Sequence, residues 1–468
     1  MADNPPFLKL SCSVQKYAWG KLGSSSEVAR LASFENPEFL VDEKVPYAEL
    51  WMGTHPSGPS TISSPHQLAG QLLSNWLICN TWALGEKTSV YSNGQLPFLL
   101  KVLSVNKALS IQAHPNKAHA EILHRIRPDL YPDPNHKPEL GIALGHFEGF
   151  CGFRPFSEIQ GFLLAVPELC GAIKGHKEEE DPVKGVVQLH NEANEETKKK
   201  ALKAVFSALM NSPVVQSRSQ LQSLVERVRS GNHPGVPLME KALLLRLYDQ
   251  YPGDIGCYAV FFLNYLCLQE GQAIFLAANE PHAYLYGDMV ECMACSDNVV
   301  RAGLTPKYVD KDTLCQMLTY NMKSAQENLF VSAVHPLCPY VQVYEPPVTD
   351  FGVHRIIIPV SGEHFTLPVI PGPSTMVVIC GVLQMECCGC CGVIAQRNSH
   401  ISASQQKCSI YQLYGECHGV PSILQFTVGG HWTGDLLVQF AFVYLLYFYY
   451  FVNTLYFICE LYNISFLT

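Results

Sequence analysis

The hydrophobic pattern of this chain changes period twice, and that restricts its fold more than any other feature. From about residue 7 to 155, apolar runs are short and broken by Gly, Pro, Ser and Asn. Phe98 to Leu103 and Leu109 to His114 read as strands here, and short helices fit Glu27 to Ser33 and Gln67 to Leu77. From about Ser157 to Gln250 apolar residues recur at three- and four-residue spacing, in 195–211, 219–230 and Leu238 to Tyr251, with a stop at Pro252-Gly253. The charged middle of this block, Lys177 to Lys200, reads as a solvated face. A β signal returns at Cys257, gives way to a predicted helix over Val309 to Tyr320 near Asp310 or Asp312, and resumes near Pro339. The expected fold is mainly β with a helical insertion.

The second β-rich part contains HAYLYGDMVECMACSDNVVRAGLTPK, His282 to Lys307. It gathers a histidine, a carboxylate, an arginine and a lysine. Gly287-Asp288 suits a two-residue hairpin turn, pairing Tyr286 with Met289, Tyr284 with Glu291 and His282 with Met293. On that reading His282, Tyr284, Tyr286 and Glu291 project from one side. A half-buried hairpin around one satisfied core histidine fits the same segment. Upstream lie SIQAHPNK (Ser110 to Lys117) and YPDPNHKPE (Tyr131 to Glu139). Gln112 and His114, two apart on a strand, face one way. With Glu139 and His282 they form a nitrogen and oxygen donor set that suits zinc, iron or manganese. His136 stands beside Lys137 as a supporting or substrate-facing residue, and His119 and His124, on a predicted helix, receive no role.

These motifs, with YAWG (Tyr17 to Gly20) and CGFRP (Cys151 to Pro155), resemble the type I phosphomannose isomerases over about residues 7 to 390. The resemblance implies a cupin-like β-barrel or jelly-roll catalytic domain in two parts, 1–155 and 253–330, around a helical domain at 156–252. A partial second cupin-like domain would occupy 331–395. It also implies a zinc-dependent aldose–ketose isomerase that interconverts mannose 6-phosphate and fructose 6-phosphate through a cis-enediol, feeding GDP-mannose synthesis. One zinc ion per chain would be held by Gln112, His114, Glu139 and His282. Arg301, Glu291 and Lys137 would be catalytic, with Glu291 the candidate base. Ser110, Lys307, Lys101 and Tyr284 would bind substrate; a surface or satisfied lysine is an equal reading of Lys101. A cupin-type iron oxygenase would use two histidines and one carboxylate, but leaves Lys307, Arg301 and the full NHKPE motif without a role.

Composition narrows the partners. The net charge of −9 and the absence of a long basic run argue against nucleic acid. No glycine-rich phosphate loop is present, so no nucleotide cofactor is expected. The first residues lack a basic segment followed by an apolar core, and eighteen cysteines without such a signal suggest reduced thiols in the cytoplasm. Cys292 and Cys295 have CxxC spacing but opposite strand parity, and CCGCCG (Cys387 to Gly392) is too crowded for separated zinc pairs. A monomer is expected.

After about Ala395 the resemblance ends. Residues 396–468 carry only Arg397, Lys407, Glu416, Asp435 and Glu460 as charges, and Leu436 to Cys459 is an uncharged, mostly apolar run long enough to span a bilayer. The leading expectation is an aberrant tail; membrane association follows only if that run is an anchor. Asn463-Ile464-Ser465 is formally a glycosylation sequon, of consequence only on secretion. A barrel without its last strands would leave Val377, Val378 and Ile379 poorly covered. An inactive or unstable isoform, at most binding metal or sugar, is therefore the alternative.

Overall fold

A computed structural model describes residues 7–359 apart from 85–94, 174–180, 191 and 232–234. Beyond these it describes 364–367, 373–380, 383–387, 390–394, 407–414, 424–427 and 443–446. Most of the run from Leu436 to Cys459, and Asn463, lie outside the described residues, as do 177–180 and 191 of the charged segment and 388–389 of the cysteine run. The protein is mainly β with a helical insertion, and it divides into two units.

One unit comprises residues 1–104, 290–295 and 331–468. Phe98–Val105, buried at every position, lies beside Glu49–Met52, which pairs in turn with Ser13–Gln15. Helix Glu27–Glu35 starts at Ser26, whose hydroxyl accepts the Ala29 amide at 3.2 Å, as an N-cap serine does. An eight-stranded sheet contains Cys338–Tyr344 and Gly352–Pro359. In it Ser374–Cys380 is flanked by Lys407–Tyr414 and Val443–Leu446, and Val377 and Val378 are buried.

The other unit comprises 105–289 and 296–330. Its long strand Glu139–Phe153 pairs with Leu263–Leu268 along one stretch and Ala273–Leu276 along another. Helices Phe156–Ala165, Pro167–Ile173, Pro182–Val187, Glu195–Met210, Val214–Arg229 and Leu238–Gln250 form the insertion. They bury apolar residues against the strands and the turn before Leu263: Phe206 meets Phe153 edge-on at 5.3 Å, and Phe162 lies 5.2 Å from Phe261. Cys257 sits in a 3-10 turn, Ile255–Phe261, so the β structure begins at Leu263 instead. The helix expected over Val309 to Tyr320 is shorter, Lys311–Met317, capped by Asp310 accepting from Thr313.

The predicted hairpin at Gly287-Asp288 does not form. His282–Ala294 is one continuous strand. Gly287 is needed for a different reason: it has φ +114, and a Cβ there would sit 2.5 Å from the His146 carbonyl oxygen. Glycine thus serves close backbone approach within a strand, which a turn-propensity argument cannot tell from a turn. The cross-strand pairing that placed Glu291 beside Tyr284 falls with the hairpin. Among the described residues no single helix is long and apolar enough to cross a membrane.

Candidate active site

The short strand Ile111–Ala113 runs between two others, with Gln112 paired to His282 on one side and to Arg301 on the other. Both ends of the His282 to Lys307 stretch therefore meet the SIQAHPNK motif at one residue. His114 follows the strand end, Glu139 opens the long strand and His282 opens its own. All three are buried, at 1%, 1% and 0% exposure.

Their ligand atoms converge within 4.8 Å of one another. Glu139 Oε2 lies 3.4 Å from His114 Nε2 and 3.3 Å from His282 Nε2. These contacts lack hydrogen-bond geometry, and all three atoms are buried without a hydrogen-bond partner. Three orphaned polar atoms aimed at one point are costly unless something binds them there. A tetrahedral ion with ligands at about 2.0–2.1 Å separates neighbouring donors by about 3.3–3.4 Å, so the spacing fits a metal.

The far side of each ring fixes which nitrogen is free. His114 Nδ1 lies 2.7 Å from the Asn298 carbonyl oxygen, and His282 Nδ1 lies 3.1 Å from that of Glu280. Nδ1–H donated to a carbonyl leaves the Nε2 lone pair facing inward. Burial pushes His114 below its ordinary pKa, which Glu139 partly opposes, favouring the neutral ring that a metal requires. Burial alone would raise Glu139, but Lys137 and the His114 ring hold it well below the usual carboxylate range. Lys137 Nζ contacts the other Glu139 oxygen at 3.2 Å.

Asn298, which motif reading missed, ties this arrangement together. It is fully buried, and its Nδ2 donates to the Asp133 and Asn135 carbonyls at 2.7 and 2.8 Å. It thereby fixes the loop that delivers Lys137 and Glu139 while its own carbonyl orients His114. Its position in SDNVV, next to the predicted motif residues, was the available signal.

Arg301 and Lys307 line one cavity of about 190 Å³ with Tyr131, Val300, Tyr308 and Asp310. Burial lowers the Arg301 pKa. Ser110 is half-buried just before the Gln112 strand. Tyr284 is 2% exposed, its ring edge-on to Phe147 at 5.5 Å. Within the other unit, Lys101 and Glu291 form a buried pair, Nζ to Oε2 3.0 Å, and Lys101 lies 5.0 Å from the Trp51 ring centre.

The family model for the phosphomannose isomerase type I catalytic domain matches residues 7–156, and that for its helical insertion domain matches 176–263. The bovine mannose-6-phosphate isomerase is 48% identical over 378 residues, which cover 80% of this chain and 87% of that protein. The human enzyme is 46% identical over 381 residues, covering 81% and 88%. The structure is similar to that of the Salmonella typhimurium mannose 6-phosphate isomerase bound to fructose 6-phosphate and zinc, with a TM-score of 0.72 and 27% identity over 95% of this chain and all of that one. Motifs, helical insertion and converging ligand atoms thus come together in a chain that belongs to the type I phosphomannose isomerase family.

Proposed function

We propose that this protein interconverts mannose 6-phosphate and fructose 6-phosphate, using one zinc ion held by His114, Glu139, His282 and Gln112. The observation that carries the reading is the meeting of three buried ligand atoms with no other partner, in a chain of this family. Zinc, when bound, polarises and orients a sugar oxygen.

The chain's own residues do the rest. Moving a proton between C2 and C1 through a cis-enediol needs a base at carbon and a cation near the oxygen that gains charge. Glu291 is assigned as the base, taking the proton from one carbon and returning it to the other, with Lys101 engaging its carboxylate. Arg301 offers a planar fork to the developing oxyanion. Lys137 is assigned to carry a proton at a sugar oxygen. Lys307 and Ser110 hold the phosphate, and Lys101 and Tyr284 are further substrate-side assignments. That Arg301 and Lys307 line one cavity supports a single anion-binding wall.

We place the enzyme in the cytoplasm as a monomer without a nucleotide cofactor; eleven of the described cysteines, between Cys12 and Cys380, are free thiols, as a reducing compartment favours. The test is a coupled assay of fructose 6-phosphate conversion on purified chain with zinc content measured alongside. Zinc-replete, folded protein without turnover would refute the assignment.

A further inference from the structure

Arg301 lies in the short strand Val300–Gly303 and Lys307 follows six residues later, so the bend between them sets where the two cations stand. That bend is held from outside. The Asp254 carboxylate accepts the Leu304 amide at 2.7 Å through Oδ1 and the Thr305 amide at 3.2 Å through Oδ2. Oδ1 also accepts the Gly256 amide at 2.7 Å, which fixes the side chain on its own turn. Leu304 adopts φ +53, a conformation that a branched residue keeps only under external restraint. The two backbones cross at glycines: a Cβ on Gly256 would lie 2.5 Å from the Leu304 nitrogen, and one on Gly303 would lie 2.6 Å from the Gly256 Cα. Thr305 passes the restraint onward, its hydroxyl accepting the Lys307 amide at 3.1 Å.

We infer that Asp254 is a positioning residue that sets the separation of Arg301 and Lys307 across their shared cavity, and so the enzyme's affinity for the phosphorylated end of its substrate. The inference rests on the assignment of Lys307 to phosphate. It touches none of the residues assigned to the metal, so metal loading and substrate affinity should part company.

The experiment measures kcat and KM for fructose 6-phosphate, competitive inhibition by inorganic phosphate, zinc content and Tm in Asp254→Ala, Asp254→Asn, Gly256→Ala and Lys307→Ala. Asp254→Ala should raise both KM and the phosphate inhibition constant about tenfold, with kcat changed less than about threefold and zinc retained. Asp254→Asn, which keeps one carbonyl acceptor, should fall between it and the parent. Gly256→Ala pushes on the same bend from the other side and should give the same signature, which keeps the test available if Asp254→Ala folds poorly. Unchanged KM and phosphate inhibition in Asp254→Asn and Gly256→Ala, with both raised in Lys307→Ala, would overturn the role of Asp254. No effect in Lys307→Ala would instead overturn the phosphate assignment beneath it. A fall in kcat as large as the rise in KM would also count against positioning.

Discussion

His114 Nδ1 and the carbonyl oxygen of Asn298 lie 2.7 Å apart, while the Asn298 side chain grips the 133–135 loop that leads to Glu139. One residue therefore governs two metal-directed side chains. Asn298→Ala keeps the backbone carbonyl but releases the loop. We expect about a 10–100-fold loss of zinc affinity in chelator competition, with the fold retained by circular dichroism. Zinc affinity equal to the parent's would show that the loop is held without Asn298.

The three orphaned atoms make a more direct prediction. His282→Ala removes one of the three orphaned donors, so bound zinc and activity should fall together. Chelation should inactivate the parent, and added zinc should restore it. Full turnover in a preparation verified as metal-free would remove the metal from the mechanism.

Lys101 and Glu291 are each buried against the other, which separates a chemical from a structural effect. Glu291→Gln keeps the shape, and turnover should drop by about two orders of magnitude or more with zinc in place. Lys101→Met removes one partner of a buried ion pair and should lower stability by about 3–5 kcal/mol in denaturant melts. A Glu291→Gln enzyme as fast as the parent would pass the role of base to another residue.

Gly287→Ala tests the strand that replaced the hairpin. With φ +114 and the His146 oxygen 2.5 Å from the new methyl, the variant should lose about 2–4 kcal/mol. In a hairpin turn open to solvent the change would cost far less, so a small loss argues for the turn after all.

Glu35 gives a pH dependence outside the site. Burial raises its carboxyl from 4.5 to about 7, although Ser11, the Cys12 amide and Lys9 pull it down. An acid raised on folding binds its proton more tightly in the native state. Its contribution is thus complete below about pH 4.5 and is lost as pH rises through 7. Relative to Glu35→Gln, the parent should lose about 2–3 kcal/mol between pH 4.5 and 8. Parallel stability curves for the two proteins would refute this.

The sequence by itself determined the division into β, helical and β segments, because hydrophobic period follows from which face of each element is buried. It also singled out the residues whose ligand atoms converge: His114, Glu139 and His282 each stand in a distinctive motif. Tertiary structure decided the rest. Gly287 looked like a turn because glycine's freedom at positive φ serves turns and close strand contacts alike, and only the His146 backbone beside it distinguishes them. Asn298 and Asp254 left little trace, since one acts through its own backbone carbonyl and through loop carbonyls and the other through amides fifty residues away. Such groups exist in every residue, so no side-chain pattern marks which of them the fold will bring within 3 Å.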